Sequence, residues 1–230
     1  MNDRPDAIDE IRAAFEPHGL FVRGLLHFDG DGPDMGRARQ AETVVLIGNI
    51  GDSFWSAFSA WRAEQAQEES DPLDAWSESL IRPIAKRLRG VAWFPSEKPW
   101  QPFQQWAMAA EGLKPSPLGV LIHPQFGLWH GYRGAIGFSE IVGAATASFE
   151  RHPCDHCPDR PCLDACPAGA IRLDGFALGN CRVHLATPEG QSGCMVSGCL
   201  ARNACPVGAE HRYCEAQLKF HMAALNLGAR

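Results

Sequence analysis

Cys154-Asp155-His156-Cys157-Pro158-Asp159-Arg160-Pro161-Cys162-Leu163-Asp164-Ala165-Cys166-Pro167 packs four cysteines into one short run and closes on a Cys-Pro dipeptide. A second run, Cys181, Cys194, Cys199 and Cys205-Pro206, ends the same way, so eight of the nine cysteines lie between Cys154 and Cys205. Two cubane iron–sulfur clusters need eight thiolates, and in two-cluster ferredoxins the cysteine before proline ligates the other cluster. That rule predicts one 4Fe–4S cluster on Cys154, Cys157, Cys162 and Cys205, and a second on Cys166, Cys181, Cys194 and Cys199. A chain wrapped round a cubane must turn sharply and aim backbone N–H groups at sulfur, which Gly169, Gly193, Gly198 and Gly208 would permit.

Other readings of the cysteines fit less well. Structural zinc favours facing Cys-x2-Cys pairs, and only Cys154 and Cys157 make one. Disulfides suit small secreted chains, whereas Met1-Asn2-Asp3-Arg4-Pro5-Asp6 has neither an apolar stretch nor a cleavage site. His152 and His156 stand among the ligands and read as surface residues or as neighbours of the metal, and Cys214 reads as a small buried side chain.

Composition bounds the rest. The chain has 230 residues, 45% of them hydrophobic, which suffices for one sizeable core and a smaller module. No apolar run approaches the roughly 18 to 20 residues of a membrane span, so a cytoplasmic protein without a membrane partner is expected. A net charge of -6 argues against a nucleic-acid surface, which would show a basic patch.

The first 148 residues read as an alternating α/β domain. Ile8, Ile11 and Phe15 recur at helical spacing, His18-Gly19 stops that helix, and Leu20 to Phe28 is extended. Thr43 to Gly48 is a continuous, β-branched apolar run, the mark of a strand covered on both faces. Asp52 or Ser53 is placed to cap a helix carrying Phe54, Trp55, Phe58 and Trp61, aromatics read as core. A helix opens at Asp71-Pro72, with a kink expected at Pro83. Val91 to Phe94 reads as a strand, Phe103 to Glu111 as a helix, and Leu118 to Ile122 as another strand. Then comes Ile122-His123-Pro124-Gln125-Phe126-Gly127-Leu128-Trp129-His130-Gly131-Tyr132-Arg133-Gly134, too polar for a core and dense in glycine and aromatic rings. Such a segment suits a large planar ligand.

This segment resembles the signature of CblC-type cobalamin-processing proteins, whose fold is a variant of the flavin nitroreductase scaffold. Epoxyqueuosine reductase is similar, with a related cobalamin domain followed by two ferredoxin-like clusters, and an isolated cysteine between its runs is a ligand, as Cys181 would be here. The resemblance implies an α+β protein: a nitroreductase-like domain over 1–148, then a ferredoxin-like two-cluster domain over 149–230. It implies a corrinoid held by His123, Pro124, Phe126, Gly127, Trp129, Tyr132, Arg133 and Gly134, with His123 near the lower axial position and Gly24 and His27 lining the same cavity. Reduced ferredoxin or flavodoxin would supply electrons, which would pass through the clusters to cobalt and to a small-molecule or corrinoid substrate. His130, Tyr132 and Glu140 are unranked candidates for a proton donor.

Alternatives stay open: a corrinoid reductase or carrier, a ferredoxin-type electron carrier, an epoxyqueuosine reductase-like enzyme, or a flavin nitroreductase relative. For the last, basic residues that would hold an FMN phosphate are not obvious. The helical-repeat tail that helps epoxyqueuosine reductases hold tRNA has no counterpart before Arg230, so a nucleic-acid partner is not expected.

Overall fold

The computed structural model describes residues 6–66, 70–145, 149 and 151–225. They are mixed α+β and divide into two compact units, 1–112 with 131–148, and 113–130 with 149–230. The sequence reading draws one boundary, between 148 and 149. Residues 113–130, which that reading placed in the first domain, are gathered into the second unit. The reason is packing: Ile122 and Leu128 form a small core with Cys205, against which Leu118, Cys154 and Val207 also pack.

In the first unit, helix α1 (Ala7–Phe15) is capped by Asp6, whose carboxylate accepts from the Ile8 N–H at 3.3 Å. Strand β1 (Phe21–His27) pairs antiparallel with β2 (Thr43–Ile50). Every residue of β2 but the last is buried, as its unbroken apolar run requires. Helix α2 (Trp55–Glu64) follows without a side-chain cap. Asp52 and Ser53 do not cap it. The Ser53 hydroxyl instead accepts from the Ile50 N–H and donates to the Gly19 carbonyl, an example of local hydrogen bonding outcompeting a helix end.

Helix α3 (Pro72–Arg87) starts on Pro72 and continues through Pro83. Its Trp76 meets Phe54 and Phe58 at ring separations of 5.6 and 5.8 Å, so α2 and α3 share an aromatic core. Strand β3 (Val91–Trp93) and helix α4 (Phe103–Glu111) follow at the expected places. Strand β6 (His130–Phe138) pairs antiparallel with β3, and the sheet order is β1-β2-β6-β3. Gly134 sits where a Cβ would lie 2.7 Å from Ile81 Cδ1, and Gly137 where it would meet the Trp93 ring at 2.2 Å. Both glycines therefore make room for core side chains.

The second unit begins with a two-stranded ribbon, β4 (Lys114–Pro115) and β5 (Leu121–Ile122), shorter than the strand expected from Leu118. Beyond residue 150 come helix α5 (Pro161–Asp164), the hairpin β7 (Ile171–Arg172) and β8 (Gly175–Phe176), and helices α6 (Leu178–Leu185), α7 (Pro188–Ser192), α8 (Cys194–Ser197), α9 (Leu200–Asn203) and α10 (Glu215–Ala223). Among the described residues, no helix is long and apolar enough to cross a membrane.

Candidate metal centre and the buried polar network

Short helices set the cysteines in place. Cys154 lies in a single 3-10 turn, Cys162 on α5, Cys181 on α6, Cys194 at the start of α8, and Cys199 at the N-cap of α9. Helices α5 and α9 pack together. Each is flanked by cysteines of both expected sets, Cys162 and Cys166 around α5, Cys199 and Cys205 around α9. All nine cysteines are free thiols.

The thiols act on one another in two groups. Burial pushes the Cys154 thiol up to about 11, with the charges of Cys205, Cys162 and Cys157 adding to the effect. Burial also raises Cys162, then Cys205 and Cys157, while the Cys205 thiol, raised by burial, feels Cys157. In the second group burial raises Cys181, with Cys199, Cys166 and Cys194 contributing. Cys199, again raised mainly by burial, feels Cys194 and Cys166. None of these couplings crosses from one group to the other.

A cavity of about 620 Å³ in the second unit is lined by Cys154, Cys157, Cys162 and Cys205, with Arg160 and Phe176 at its wall, and by no thiol of the other set. Backbone N–H groups are aimed at several of the sulfurs. The Ala170 N–H donates to Cys166 Sγ at 3.3 Å, the N–H groups of Ala201 and Arg202 to Cys199, and that of Val207 to Cys205. Such donors favour a thiolate and are what a cluster cradle supplies. Three of the four expected glycines take left-handed φ, Gly169 at 56°, Gly198 at 79° and Gly208 at 64°, whereas Gly193 has φ of -100°.

Among the described residues no group of three or more His, Cys, Asp or Glu side chains stands close enough together to hold a metal ion. His156 is exposed, and His152 is buried with Nε2 3.3 Å from the Lys114 carbonyl. Cys214 is half-buried at the N-cap of α10.

The residues expected to face a corrinoid are divided between the units. His123, Pro124, Phe126, Gly127, Trp129 and His130 belong to the second, Tyr132, Arg133 and Gly134 to the first. His123 is buried, and its Nδ1 accepts from the N–H groups of Gln125 and Phe126 at 3.0 and 3.2 Å while the ring stacks on Phe126 at 4.2 Å. Nδ1 is thus occupied by the turn itself, and any ligand role would fall to Nε2. Gly127, at φ 57°, is placed so that a Cβ would stand 1.8 Å from the Val207 carbonyl oxygen, and one on Gly208 would stand 2.3 Å from the Phe126 carbonyl carbon. These glycines bring the turn against the loop after Cys205. Gly127→Ala is expected to destabilise the second unit by about 1–3 kcal/mol through this clash, read as a fall in its urea midpoint.

Of the candidate proton donors, His130 is half-buried with Nε2 3.2 Å from the Leu121 carbonyl. Glu140 is exposed just beyond β6. In the first unit His27 is exposed and Gly24 buried.

Tyr132 joins a network that the sequence did not announce. Its hydroxyl donates to Glu111 Oε1 at 2.5 Å, and Glu111 Oε2 accepts from Arg23 at 3.0 Å. Arg23 also donates to the Asn49 carbonyl at 3.0 Å and lies 5.6 Å from the Tyr132 ring centre. The Arg23 and Glu111 side chains are only 3% and 4% exposed, which makes this a buried ion pair. Arg23 stands where the β1–β2 register shifts, between Val22 and Gly24, and such irregularities re-aim side chains. A signal did exist: an arginine inside an apolar strand, and a glutamate at a helix C-terminus where the dipole disfavours it.

Burial holds the Tyr132 phenol far above its ordinary value of 10, with the Glu111 charge acting the same way and Arg23 opposing. The folded chain binds this proton more tightly than the unfolded one. The stability it lends is complete below pH 10 and is lost as the pH climbs beyond. A 295 nm titration of wild type minus Tyr132→Phe is expected to be flat through about pH 10 to 11. A step there would contradict the buried network.

No family model matches the chain, and no curated protein does. Epoxyqueuosine reductase from Streptococcus thermophilus superposes with a TM-score of 0.54 at 14% identity, over 87% of this chain and 65% of that one. The chain therefore spans just under two thirds of that enzyme's length. The B12-trafficking protein CblC from C. elegans, a homologue of human MMACHC, superposes with a TM-score of 0.52 at 14% identity, over 94% of this chain and 91% of that one. At such identity the likeness is one of architecture: the chain has the CblC-like fold that epoxyqueuosine reductase and the B12-trafficking protein share.

Proposed function

We propose that the protein is an iron–sulfur and cobalamin-dependent oxidoreductase with two 4Fe–4S clusters on its crossed cysteine sets. The observation that carries this reading is the single cavity lined by Cys154, Cys157, Cys162 and Cys205 and by no thiol of the other set. Bound clusters would supply one-electron transfer, and a bound corrinoid the reducible metal that receives it. The chain's own residues provide the setting. The backbone N–H groups of Ala170, Ala201, Arg202 and Val207 would donate to the sulfurs of bound clusters. Pro115, Pro117, Ile122, Pro153 and Phe176 wall the first set's cavity with apolar surface, which strengthens those interactions.

For a corrinoid the fit is clearest at Tyr132 and Arg133, half-buried on β6. Tyr132 is oriented by Glu111, while the Arg133 Nε–H donates to the Tyr132 carbonyl at 3.1 Å. Because Tyr132 holds its proton so tightly, it suits holding a ligand polar group better than releasing a proton. His130 and Glu140 are then the stronger proton donors of the three. Reduced ferredoxin or flavodoxin is the electron source of matching chemistry.

Anaerobic reconstitution tests the reading. About eight irons per chain, together with a change of the hydroxocobalamin spectrum to the base-off form on titration, are expected. Tight FMN binding with no cobalamin change would sink it.

A further inference from the structure

Arg202 lies on α9, three residues after Cys199 and three before Cys205, on the segment that joins one cysteine set to the other. Its backbone serves both: its N–H donates to Cys199 Sγ, and its carbonyl accepts from the Cys205 N–H at 3.2 Å. Its side chain is clamped. The guanidinium carbon stands 4.4 Å from the Trp129 ring centre and 4.6 Å from that of Tyr213, and one terminal nitrogen donates to the Leu128 carbonyl. Trp129 is fully buried and Tyr213 is 8% exposed.

Two donors in this stack have no acceptor. Among the described residues, Arg202 Nε and Trp129 Nε1 are shut off from solvent and make no hydrogen bond. A buried donor left unsatisfied costs about 1–3 kcal/mol, so two in one stack point to an acceptor that the polypeptide does not itself supply. Sulfide and thiolate sulfur between the flanking cysteines would be acceptors of the right kind, since hydrogen bonds to sulfur are a principal means of setting a cluster's potential.

We propose that Arg202 and Trp129 set the reduction potential of the paired clusters, Arg202 by its dehydrated positive charge and Nε–H, and Trp129 by its indole N–H. The inference rests on the two-cluster reading. Reduction adds one electron to a cluster, makes and breaks no bond, and raises its negative charge by one. A cation and two hydrogen-bond donors facing the cluster would favour that state, and the aromatic clamp keeps the cation out of water, where its field would be screened.

The test is a redox titration of the reconstituted holoprotein under dithionite and mediators, followed by electron paramagnetic resonance, with iron counted in each sample. At a fixed poise the ratio of reduced to oxidised cluster is expected to fall about tenfold in Arg202→Met, a shift of about 59 mV for a one-electron couple. In Trp129→Phe it should fall about threefold, the worth of one ordinary hydrogen bond. Arg202→Lys, which keeps the charge and loses the Nε–H, should lie between wild type and Arg202→Met. Unchanged ratios in Arg202→Met and Trp129→Phe, with iron at the wild-type level, would overturn the proposal. If Arg202→Met loses iron, unchanged ratios in Arg202→Lys and Trp129→Phe overturn it equally. A wild-type protein that takes up no iron contradicts the two-cluster reading, and this inference with it.

Discussion

Glu111→Ala is expected to destabilise the protein by about 3–5 kcal/mol, among the largest effects of any single substitution outside the cysteines. The substitution leaves the Arg23 guanidinium, 3% exposed, without its carboxylate, and takes the acceptor from the Tyr132 hydroxyl. Two buried polar groups lose one shared partner. At this chain length the shift corresponds to a fall in melting midpoint of roughly 6 to 20 °C, measurable by far-ultraviolet circular dichroism. Removing both charges together is expected to hurt far less, because the large penalty is that of an uncompensated buried charge. Arg23→Met with Glu111→Leu should therefore melt above Glu111→Ala. A Glu111→Ala protein within about 1 kcal/mol of wild type, the ordinary range for exposed pairs, would show that the pair is not buried in solution.

The second large effect concerns the cysteines that precede proline. Cys166→Ala and Cys205→Ala are each expected to take reconstituted iron from about eight to about four per chain, because each removes one thiolate from a different cluster. Metal analysis against protein concentration reads this directly. The loss should be of a whole cluster in each case, since three remaining thiolates flank a gap that no other cysteine fills. Cys214, half-buried at the head of α10, falls in neither expected set, and Cys214→Ala should keep all the iron. Zinc in place of iron in the wild type would contradict the cluster assignment.

Much of this architecture could be read from the chain because its signals are local. Cys162-x3-Cys166-Pro167 lies within one turn of helix and its exit, so spacing alone bounds the geometry. The apolar run of β2 and the Pro72 start of α3 likewise depend on neighbours in sequence. What could not be read depends on distant partners. Gly127 looks like a glycine left open for a ligand until Val207 is placed against it, and nothing near residue 127 in sequence names that partner. Arg23 and Glu111 are 88 positions apart. Each alone is an oddity, a charge in a strand and an acid at a helix C-terminus, and only the fold turns the two oddities into a pair. Ser53 failed as a helix cap for the same reason, because the Gly19 carbonyl competes for its hydroxyl.

The excursion of 113–130 into the second unit follows that pattern. Ile122 and Leu128 look like the apolar ends of a sheet hairpin, yet they are buried with Cys205. The His123 turn is thereby part of the cysteine-bearing unit, and mutations in it should report on cluster retention as well as on any ligand.

The central claim is that the cysteine sets are crossed, and the most direct measurement is the iron bound by two double variants. Crossed ligation predicts that Cys154→Ala/Cys205→Ala, which strips two ligands from one cluster, keeps about four irons, while Cys154→Ala/Cys166→Ala, which strips one from each, keeps almost none. The reverse outcome, iron lost from the first variant and about four irons retained by the second, would mean that each run of four cysteines holds its own cluster and would contradict the crossed sets.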